Sequence, residues 1–325
     1  MLISDATMEM EIEQNMSKPI LAYGEAMVEF NQRIDAPRQY LQGYGGDTSN
    51  FAIAAARQGA ASAYLSAVGD DHFGADLLDL WRREHVDVQH VAIHAGGSTG
   101  LYFVTHDQAG HHFHYRRTGS AASRYAASDL PLPAIAGAGA LHLSGISLAI
   151  SETACEAGLA AMAFARQCGV TTSLDTNLRL RLWPLERARE KMEQALRLCD
   201  ICLPSWDDVA MLTGLEDRDA IVDRLLAYGV QLVAFKLGHA GCYVATPQAR
   251  RLVAPYPVQA LDATGAGDCF GGAFMAELMA GRDPFEAARY ANVAAALSTT
   301  AYGAVAPIPR RAQVQAALQA SADRA

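Results

Sequence analysis

Seven residues, Asp262-Ala263-Thr264-Gly265-Ala266-Gly267-Asp268, carry the strongest structural signal in this sequence of 325 residues. An apolar pattern of helical spacing follows them at once, with Phe270, Phe274 and Leu278 on one face. The start of a helix offers unpaired backbone N–H groups and the positive end of the helix dipole. Because the residues are small, a ligand can approach the backbone closely. The stretch therefore predicts a loop that holds a developing phosphate charge, with the Asp268 carboxylate beside it.

Three interpretations of this loop compete at the level of residues. Asp268 could accept a proton from a sugar hydroxyl that attacks a γ-phosphate. The loop could instead be a glycine turn in which Asp268 only caps the helix. A dinucleotide-binding loop is the third, but the spacing from Gly265 through Gly267 to Gly271 is one residue too long for G-x-G-x-x-G. The sequence contains no G-x-x-x-x-G-K-[ST], which excludes a P-loop.

A second glycine-rich stretch lies near the N-terminus, where residues 45–52 read GGDTSNFA before an alanine-rich helical pattern. Gly45 and Gly46 permit close approach of a ligand, and Asp47 and Asn50 supply hydrogen-bonding groups for hydroxyls. A glycine turn with a capped helix would give the same pattern. In combination with the later loop, the stretch favours a sugar-binding site.

The two stretches resemble the two signatures of the ribokinase-like (PfkB-type) carbohydrate kinases, G-G-x-x-x-N-x-A and D-A-T-G-A-G-D-C-F. The resemblance extends over about residues 19–310. It implies an α/β fold, a three-layer α/β/α sandwich with a mainly parallel central sheet and a small β-sheet lid. It further implies ATP and Mg²⁺ as cofactors, Asp268 as the catalytic base, and a backbone anion hole at Gly265, Ala266 and Gly267.

Composition and charge agree with such an enzyme. Hydrophobic residues make up 51% and charged residues 19% of the chain, as in soluble globular proteins. The net charge of −9 does not favour nucleic acid or an anionic membrane as a partner. No apolar run reaches membrane-spanning length and no signal-peptide pattern opens the chain, so we expect a cytoplasmic protein. We expect residues 1–18 to form a flexible tail and residues 19–325 to form the kinase domain.

Cysteine and histidine patterns are weak candidates for metal sites. Cys199 and Cys202 form a C-x-x-C, but no second pair exists and the apolar neighbours predict a buried strand with reduced thiols. His111, His112 and His114 lie on a predicted strand, where neighbouring side chains point to opposite faces. The three histidines therefore cannot all converge on one ion.

The lid strands are expected within about residues 26–45 and 97–118. The second segment is a hairpin pattern with alternating apolar residues, which predicts pairing with another subunit in a homodimer or higher homo-oligomer. Its Tyr102, Tyr115 and Arg117 could meet the substrate, and arginine binds a carboxylate through two parallel hydrogen bonds.

Polar residues also follow a predicted strand at Asp175-Thr176-Asn177-Leu178-Arg179, and such strand ends bind ligands in open α/β sheets. Together with the glycine stretch, the tyrosine hairpin and the turn at Ile146, this segment looks most like kinases of 2-dehydro-3-deoxygluconate, a sugar acid. Arg179, helped by Arg117, would bind the carboxylate, and Arg116 is the alternative to Arg117 in this role. A surface salt bridge is the alternative for Arg179. A neutral-sugar kinase of the fructokinase or ribokinase type is the competing substrate class.

Two other classes of protein remain open. A non-catalytic sugar-binding regulator would share the fold, although an intact Asp268 argues against it. A dinucleotide oxidoreductase is disfavoured by the glycine spacing.

The nucleotide side is predicted from a strand that ends in K-x-G-x-x-G. A buried lysine at a strand end is costly unless an anion pairs with it, which favours a nucleotide contact. Relatives often carry N-x-x-E where this chain has Ser205-Trp206-Asp207-Asp208, so the protein ligands of the metal are unknown. By resemblance, the residues expected around ATP are Asn177, Ser205, Lys236, Gly238, Gly241 and Asn292.

Overall fold

The computed structural model describes residues 18–107 and 110–322, without the side chains of residues 111 and 322. Nearly all of the predicted N-terminal tail, residues 1–18, lies outside the described residues, as do residues 108 and 109 of the hairpin turn. The described residues form fourteen strands: β1 (Ile20–Tyr23), β2 (Met27–Gln32), β3 (Tyr40–Gly45), β4 (Ser62–Gly69), β5 (Val86–Asp87), β6 (Val91–His94), β7 (Gly100–Asp107), β8 (Gly110–Arg116), β9 (Ala140–Ser144), β10 (Thr171–Asp175), β11 (Ile201–Cys202), β12 (Leu232–Lys236), β13 (Cys242–Ala245) and β14 (Arg250–Val253).

Eleven α-helices lie between and after these strands in the described part of the chain. They are α1 (Asp47–Arg57), α2 (His72–Arg83), α3 (Leu132–Gly137), α4 (Gly145–Ala149), α5 (Glu152–Gln167), α6 (Leu185–Leu196), α7 (Trp206–Thr213), α8 (Arg218–Ala227), α9 (Ala266–Met279), α10 (Pro284–Ser298) and α11 (Arg311–Ala322). None of these helices is long and apolar enough to cross a membrane.

The central sheet has the order β14-β13-β12-β11-β10-β9-β1-β4-β5, and β6 also pairs with β4. All of its pairings are parallel except β12 with β13 and β13 with β14, which close one end as antiparallel hairpins. The mainly parallel central sheet that the resemblance implies is therefore confirmed. The carboxyl ends of β9, β10, β11 and β12 lie side by side at one edge.

Successive residues of the strands feed two separate cores, one on each face of the central sheet. On β1, Ile20 and Ala22 join the core with α1, α2, α9, α10 and α11, whereas Leu21 and Tyr23 join the core with α5, α6 and α8. This alternation is the expected consequence of side chains pointing to opposite faces along a strand. The three-layer α/β/α architecture is therefore confirmed.

A second, four-stranded sheet has the order β3-β2-β7-β8, and we call it the lid sheet. It is mixed, because β2 pairs in parallel with β7 while the outer pairs are antiparallel. One face packs towards the main core through Val28 and Phe30, with Phe30 against Phe73 of α2 at 5.8 Å between ring centroids. The other face carries its own small cluster around Met27, Tyr102 and Val104.

Helices α1 and α9 cross at very short range because a pair of glycines in α9 leaves no side chain between them. A Cβ atom on Gly272 would lie 2.4 Å from the Phe51 carbonyl oxygen and 2.8 Å from the Ala55 nitrogen. On Gly271 it would lie 3.2 Å from the Phe51 ring. This close crossing joins the two glycine-rich stretches, which are more than two hundred residues apart in the sequence.

Candidate active site

Asp268 lies in the first turn of α9, which begins at Ala266. Gly265 precedes the helix in the left-handed conformation, with φ of 74°. A Cβ on Gly265 would also lie 3.1 Å from the Ala304 carbonyl oxygen, so glycine fits this position for two reasons. The Ala266 N–H already donates to the Ala263 carbonyl at 3.2 Å. Of the predicted anion-hole residues, Ala266 therefore has its N–H engaged in a turn, and the N–H groups of Gly267 and Asp268 follow it in the first turn of the helix.

Asp262 holds this loop in shape from its other end. Its Oδ1 accepts hydrogen bonds from Thr264 N at 2.9 Å and from Thr264 Oγ1 at 2.6 Å. Its Oδ2 accepts from Gly303 N at 2.9 Å, which ties the loop to the segment around Gly303.

The Asp268 carboxylate is half-buried and receives one strong hydrogen bond from the N-terminal signature. Asn50 Nδ2 donates to Asp268 Oδ2 at 2.8 Å. Burial, and then the nearby Asp47 carboxylate, raise the pKa of Asp268 well above its usual value. A carboxylate with a raised pKa is a stronger base, which suits proton abstraction from a hydroxyl.

Asp47 is the first residue of α1 and faces the loop that follows β10. Its Oδ2 accepts a hydrogen bond from Asn177 Nδ2 at 2.8 Å. Burial is the largest influence on the pKa of Asp47, and it raises that pKa. Asn177 has φ of 26°, one of two non-glycine residues with positive φ in the described part of the chain. Such backbone strain clusters at functional sites. Because its side-chain amide donates to Asp47, Asn177 links the loop after β10 to the start of α1.

The structure explains Gly45 and Gly46 through packing within the protein. A Cβ on Gly45 would lie 2.3 Å from the Tyr102 hydroxyl oxygen, and one on Gly46 would lie 2.6 Å from the Glu25 carbonyl oxygen. Gly46 also has φ of 120°, outside the range of L-residues. These contacts alone require both glycines, so close approach of a ligand is not needed to account for them.

Of the two tyrosines predicted to meet substrate, one is buried and one is exposed. The Tyr102 hydroxyl donates to Glu29 Oε2 at 2.5 Å, and its ring lies 5.9 Å from that of Tyr115. Tyr115 is 41% exposed. Only Tyr115 therefore presents substantial surface to a ligand.

The two predicted carboxylate-binding arginines differ sharply. Arg117 donates from Nε to Glu25 Oε2 at 2.7 Å, and Glu25 is fully buried, so a protein carboxylate already neutralises Arg117. Arg179 is exposed and donates only to its neighbour's carbonyl oxygen, at Leu178, at 2.8 Å. Among the residues that the structure describes, no carboxylate lies within ion-pair distance of Arg179. The salt-bridge alternative for Arg179 is therefore not found there, and its charge acts on Asp47 and Asp208 from a greater distance.

Lys236 has an anionic partner inside the protein. Its Nζ forms an ion pair with Asp175 at the end of β10, and both side chains are almost fully buried. Burial alone would lower the pKa of Lys236, but Asp175 and the neighbouring carboxylates raise it above its usual value. The Lys236 charge therefore does not require a nucleotide to balance it, and the nucleotide contact of Lys236 stays a prediction. Lys236 nevertheless lies against the predicted anion hole, since a Cβ on Gly267 would be 3.4 Å from Nζ.

The other residues predicted to surround ATP lie beside the start of α7 and the ends of β12 and β14. Ser205 precedes α7, and its backbone forms an isolated parallel β-bridge with that of Lys236. Gly238 and Gly241 form the turn after β12, with φ of 57° and 92°. Asn292 is buried and its amide donates to the carbonyl oxygens of residues 253 and 254 at 3.2 and 2.9 Å, so that amide holds the chain after β14. On the sugar side, Ile146 is half-buried in α4.

Asp208 is the acidic side chain that replaces the glutamate of N-x-x-E. Its Oδ2 accepts a hydrogen bond from Thr176 Oγ1 at 3.3 Å, and burial together with Asp175 raises its pKa. No group of three acidic, histidine or cysteine side chains suited to a metal occurs among the described residues. Mg²⁺ is commonly held by one or two carboxylates and the phosphates of its substrate. The single carboxylate of Asp208, with its raised pKa, fits that mode of binding. A metal held entirely by protein ligands does not fit the described residues.

The structure also describes two cysteines and two histidines that were weaker candidates for a metal site. Cys199 and Cys202 are buried free thiols, and burial raises the pKa of both. His112 pairs with Asp107 at 2.9 Å, and His114 shares a hydrogen bond with Thr105 at 3.0 Å.

Two contributions to the site were not predicted from the sequence. The first is Asp175, which was noted only as the start of a polar strand end. The second is the glycine pair of α9, which lets Asn50 reach Asp268. Two glycines in the interior of a helix are a readable signal of close backbone approach, but the sequence does not say which helix approaches.

Comparison with known proteins agrees with this geometry. Residues 17–311 match the model of the pfkB family carbohydrate kinases. The chain is 34% identical to the 2-dehydro-3-deoxygluconokinase of Thermoproteus tenax, over 90% of this chain and 93% of that protein. It is 33% identical to Fructokinase-1 of Oryza sativa subsp. japonica, over 92% of this chain and 97% of that protein. Sequence identity therefore does not separate a sugar acid from fructose as the substrate.

A solved structure shows the same fold with nucleotide bound. A protein from E. coli described as a candidate ribokinase II, in complex with ATP and Mg²⁺, superimposes with a TM-score of 0.86 at 27% identity, over 93% of this chain and 99% of that one. ATP and Mg²⁺ are thus bound by a protein that shares this architecture.

Proposed function

Since this chain belongs to the pfkB family of carbohydrate kinases, we propose that it transfers the γ-phosphoryl group of ATP to the terminal hydroxyl of 2-dehydro-3-deoxy-D-gluconate, giving the 6-phosphate. The observation that carries the substrate class is Arg179. It is an exposed guanidinium with no ion pair among the described residues, beside a cluster of carboxylates that includes Asp47.

Asp268 is the proposed general base. Its Oδ2 is fixed by Asn50, and its raised pKa matches the task of accepting the hydroxyl proton as the oxygen attacks phosphorus. Asn50 donates from one side only, which leaves the other carboxylate oxygen available to the substrate.

The backbone at the start of α9 is the proposed site of the transferred group. Unpaired N–H groups and the positive end of the helix dipole stabilise negative charge there. ATP supplies the phosphoryl group, and Mg²⁺ neutralises charge on its phosphates. Asp208 is the residue that would hold the metal, while Lys236 adds a positive charge next to Gly267.

Arg179 would bind the carboxylate of the sugar acid. A net charge of −9 gives no general attraction for acids, so the affinity must come from local donors. Arg117 assists only if the substrate shares it with Glu25, because that carboxylate already accepts its hydrogen bonds. Tyr115 and the half-buried Ile146 would contact the body of the sugar.

A fructokinase activity is the second candidate, and one observation favours it. Arg117 is already neutralised, which leaves a single free guanidinium where two were expected. A non-catalytic regulator is less well supported, because a hydrogen bond from Asn50 to Asp268 at the start of α9 favours a general base there.

The decisive experiment is a coupled kinase assay with ATP and Mg²⁺ across a panel of sugars. The panel contains 2-dehydro-3-deoxygluconate, its galactose-derived epimer, fructose and ribose. We expect the highest kcat/KM for one of the two sugar acids. A preference for fructose or ribose would overturn the sugar-acid assignment and leave the family unaffected, whereas no turnover of any sugar would favour the regulator.

A further inference from the structure

Asp175 connects the two halves of the candidate site. It lies at the carboxyl end of β10, in the middle of the central sheet, and its side chain is 6% exposed. Its Oδ2 pairs with Lys236 Nζ, and its Oδ1 accepts a hydrogen bond from Asn177 N at 3.2 Å. Both oxygens of this carboxylate are thus engaged, one towards each side of the site.

Each contact leads to a different part of the proposed machinery. Towards the nucleotide, Lys236 lies against Gly267 of the anion hole, within electrostatic range of Asp268. Towards the sugar, Asn177 is held in its left-handed turn and donates its amide to Asp47. A buried carboxylate is expensive to maintain, and a buried ion pair is often no more stable than an apolar replacement. Stability alone therefore does not explain why the buried Asp175–Lys236 ion pair is present.

We propose that Asp175 is a positioning residue for phosphoryl transfer: it holds the Lys236 ammonium beneath the anion hole, where that charge opposes the negative charge of Asp268 and of the transferred group. This inference rests on the proposed role of Asp268 as the base, but not on which sugar is the substrate.

The charges around Asp268 set its pKa, so the role of Asp175 can be measured through that pKa. The polar and charged groups that face Asp268 are Asp47 and Asn50 from α1, Asp175 from β10, and Lys236 from β12. Removing the Lys236 charge leaves three carboxylates facing one another, so the pKa of Asp268 should rise. Removing the Asp175 charge should lower it. A role in packing alone would not move the pKa in opposite directions.

The test compares pH profiles of kcat/KM for four variants, using whichever sugar the wild type phosphorylates. We expect Lys236→Met to displace the acid limb to higher pH and Asp175→Asn to displace it to lower pH, each by roughly one pH unit. Lys236→Arg keeps the charge and should leave the limb near its wild-type position. Both Asp175→Asn and Lys236→Met should also lower kcat by about tenfold or more, from the lost positioning.

Asp200→Asn is the matched control. Asp200 directly precedes β11 and accepts a hydrogen bond from Thr172 N at 2.9 Å, near the start of β10 and thus at the end of that strand opposite to Asp175; it also pairs with Arg166 at 2.9 Å. We expect this variant to keep the wild-type pH profile.

Folding defects are separated from this effect by a double variant. Asp175→Asn with Lys236→Met removes both buried charges together, and it should be no slower than the slower single variant, because the two residues act as a unit. Acid limbs that stay at the wild-type position in both single variants would overturn the inference. So would a double variant whose loss of kcat is the product of the two single losses.

The proposed function fails in a different way. If Asp268→Asn retains turnover, Asp268 is not the base. If Asp268→Asn is inactive while the limbs do not move, only the role of Asp175 is refuted.

Discussion

At the scale of single residues, the site is built around carboxylates whose charge is only partly compensated. Asp268, Asp47 and Asp208 all have raised pKa values, and burial is the largest cause for each. Lys236 and Arg179 are the two cations whose charges reach this cluster. The arrangement stores unfavourable electrostatic energy in a place where a cationic or proton-donating ligand would relieve it.

Asp268→Asn should abolish turnover while ATP and sugar still bind. The amide keeps the shape of the side chain but cannot accept a hydroxyl proton, so we expect kcat to fall roughly a hundredfold or more. The variant should be as thermally stable as the wild type or more so, since it removes a carboxylate disfavoured by burial and by Asp47. Steady-state kinetics, calorimetric binding and thermal melting check the three parts. Turnover close to that of the wild type would remove Asp268 from the mechanism.

Arg179→Ala should raise the KM for a sugar acid about tenfold or more, because a charge-assisted pair contributes about 1.5–3 kcal/mol. Arg179→Lys should recover only part of this, since lysine lacks the planar fork of donors. The KM for ATP is measured separately, because Arg179 also lies near Asp208 on the nucleotide side.

Arg197→Ala is the control for this prediction. Arg197 is another exposed arginine, and it pairs with Glu193 at 2.7 Å, one turn earlier in the chain. The variant should change the KM for a sugar acid little. Equal weakening of acidic and neutral sugars by Arg179→Ala would count against a carboxylate contact.

At the scale of elements, the crossing of α1 and α9 places the proposed base against its hydrogen-bond donor. The contact depends on backbones that nearly touch at Gly272, and it fixes the distance between Asn50 and Asp268. The segment that follows β10 adds Asn177, and β12 adds Lys236. The site thus lies where helix starts meet the carboxyl ends of parallel strands, as is general in open α/β sheets.

Gly272→Ala should both destabilise the protein and reduce its activity. The new Cβ would lie 2.4 Å from a backbone oxygen, which no rotation of a side chain can relieve, so the helices must separate. Overpacking of this kind costs about 1–3 kcal/mol. Gly137→Ala at the end of α3 is the matched control, because a Cβ there has no heavy atom within 4 Å. Thermal melting and kcat measured together would contradict the prediction if Gly272→Ala behaved like the control.

At the scale of the whole molecule, the lid sheet leaves apolar surface exposed. Phe103 is covered within the sheet by Phe30 and Tyr40, at 5.3 and 5.9 Å between ring centroids. Leu41 and Tyr115, in contrast, are 62% and 41% exposed. The pairing register places both on the face that carries Tyr102. An apolar patch on a sheet with open edges is typical of an interface.

We therefore expect the protein to form a homodimer or a higher homo-oligomer through the lid sheet. Leu41→Asp should shift it towards the monomer, because a charge on the buried interface lacks a partner. Leu132→Asp, at an exposed position on α3, is the control and should leave the assembly unchanged. Light scattering at assay concentration measures both, and a monomeric wild-type protein would refute the expectation.

The sequence alone was sufficient for the architecture and for the family to which the chain belongs. Alternation of strands and helices predicts a layered parallel sheet, because each strand must bury both faces under helices. The loop ending at Asp268 predicts an anion site, because small residues before a helix expose its first N–H groups. These signals are local, so a single sequence displays them in full.

Only the tertiary structure decided which charges meet. Lys236 was predicted to favour a nucleotide contact, and the structure adds an ionic partner within the protein, Asp175 from another strand. Arg117 was predicted to meet the substrate, and the structure shows that the buried Glu25 already pairs with it. Glycines at 45 and 46 were attributed to ligand approach, whereas the Tyr102 hydroxyl and the Glu25 carbonyl occupy the space beside them. Pairings of this kind depend on strand order and helix crossing, which bring together residues far apart in the chain. Local sequence does not encode those distances, and the free energy of a buried charge depends on them most strongly.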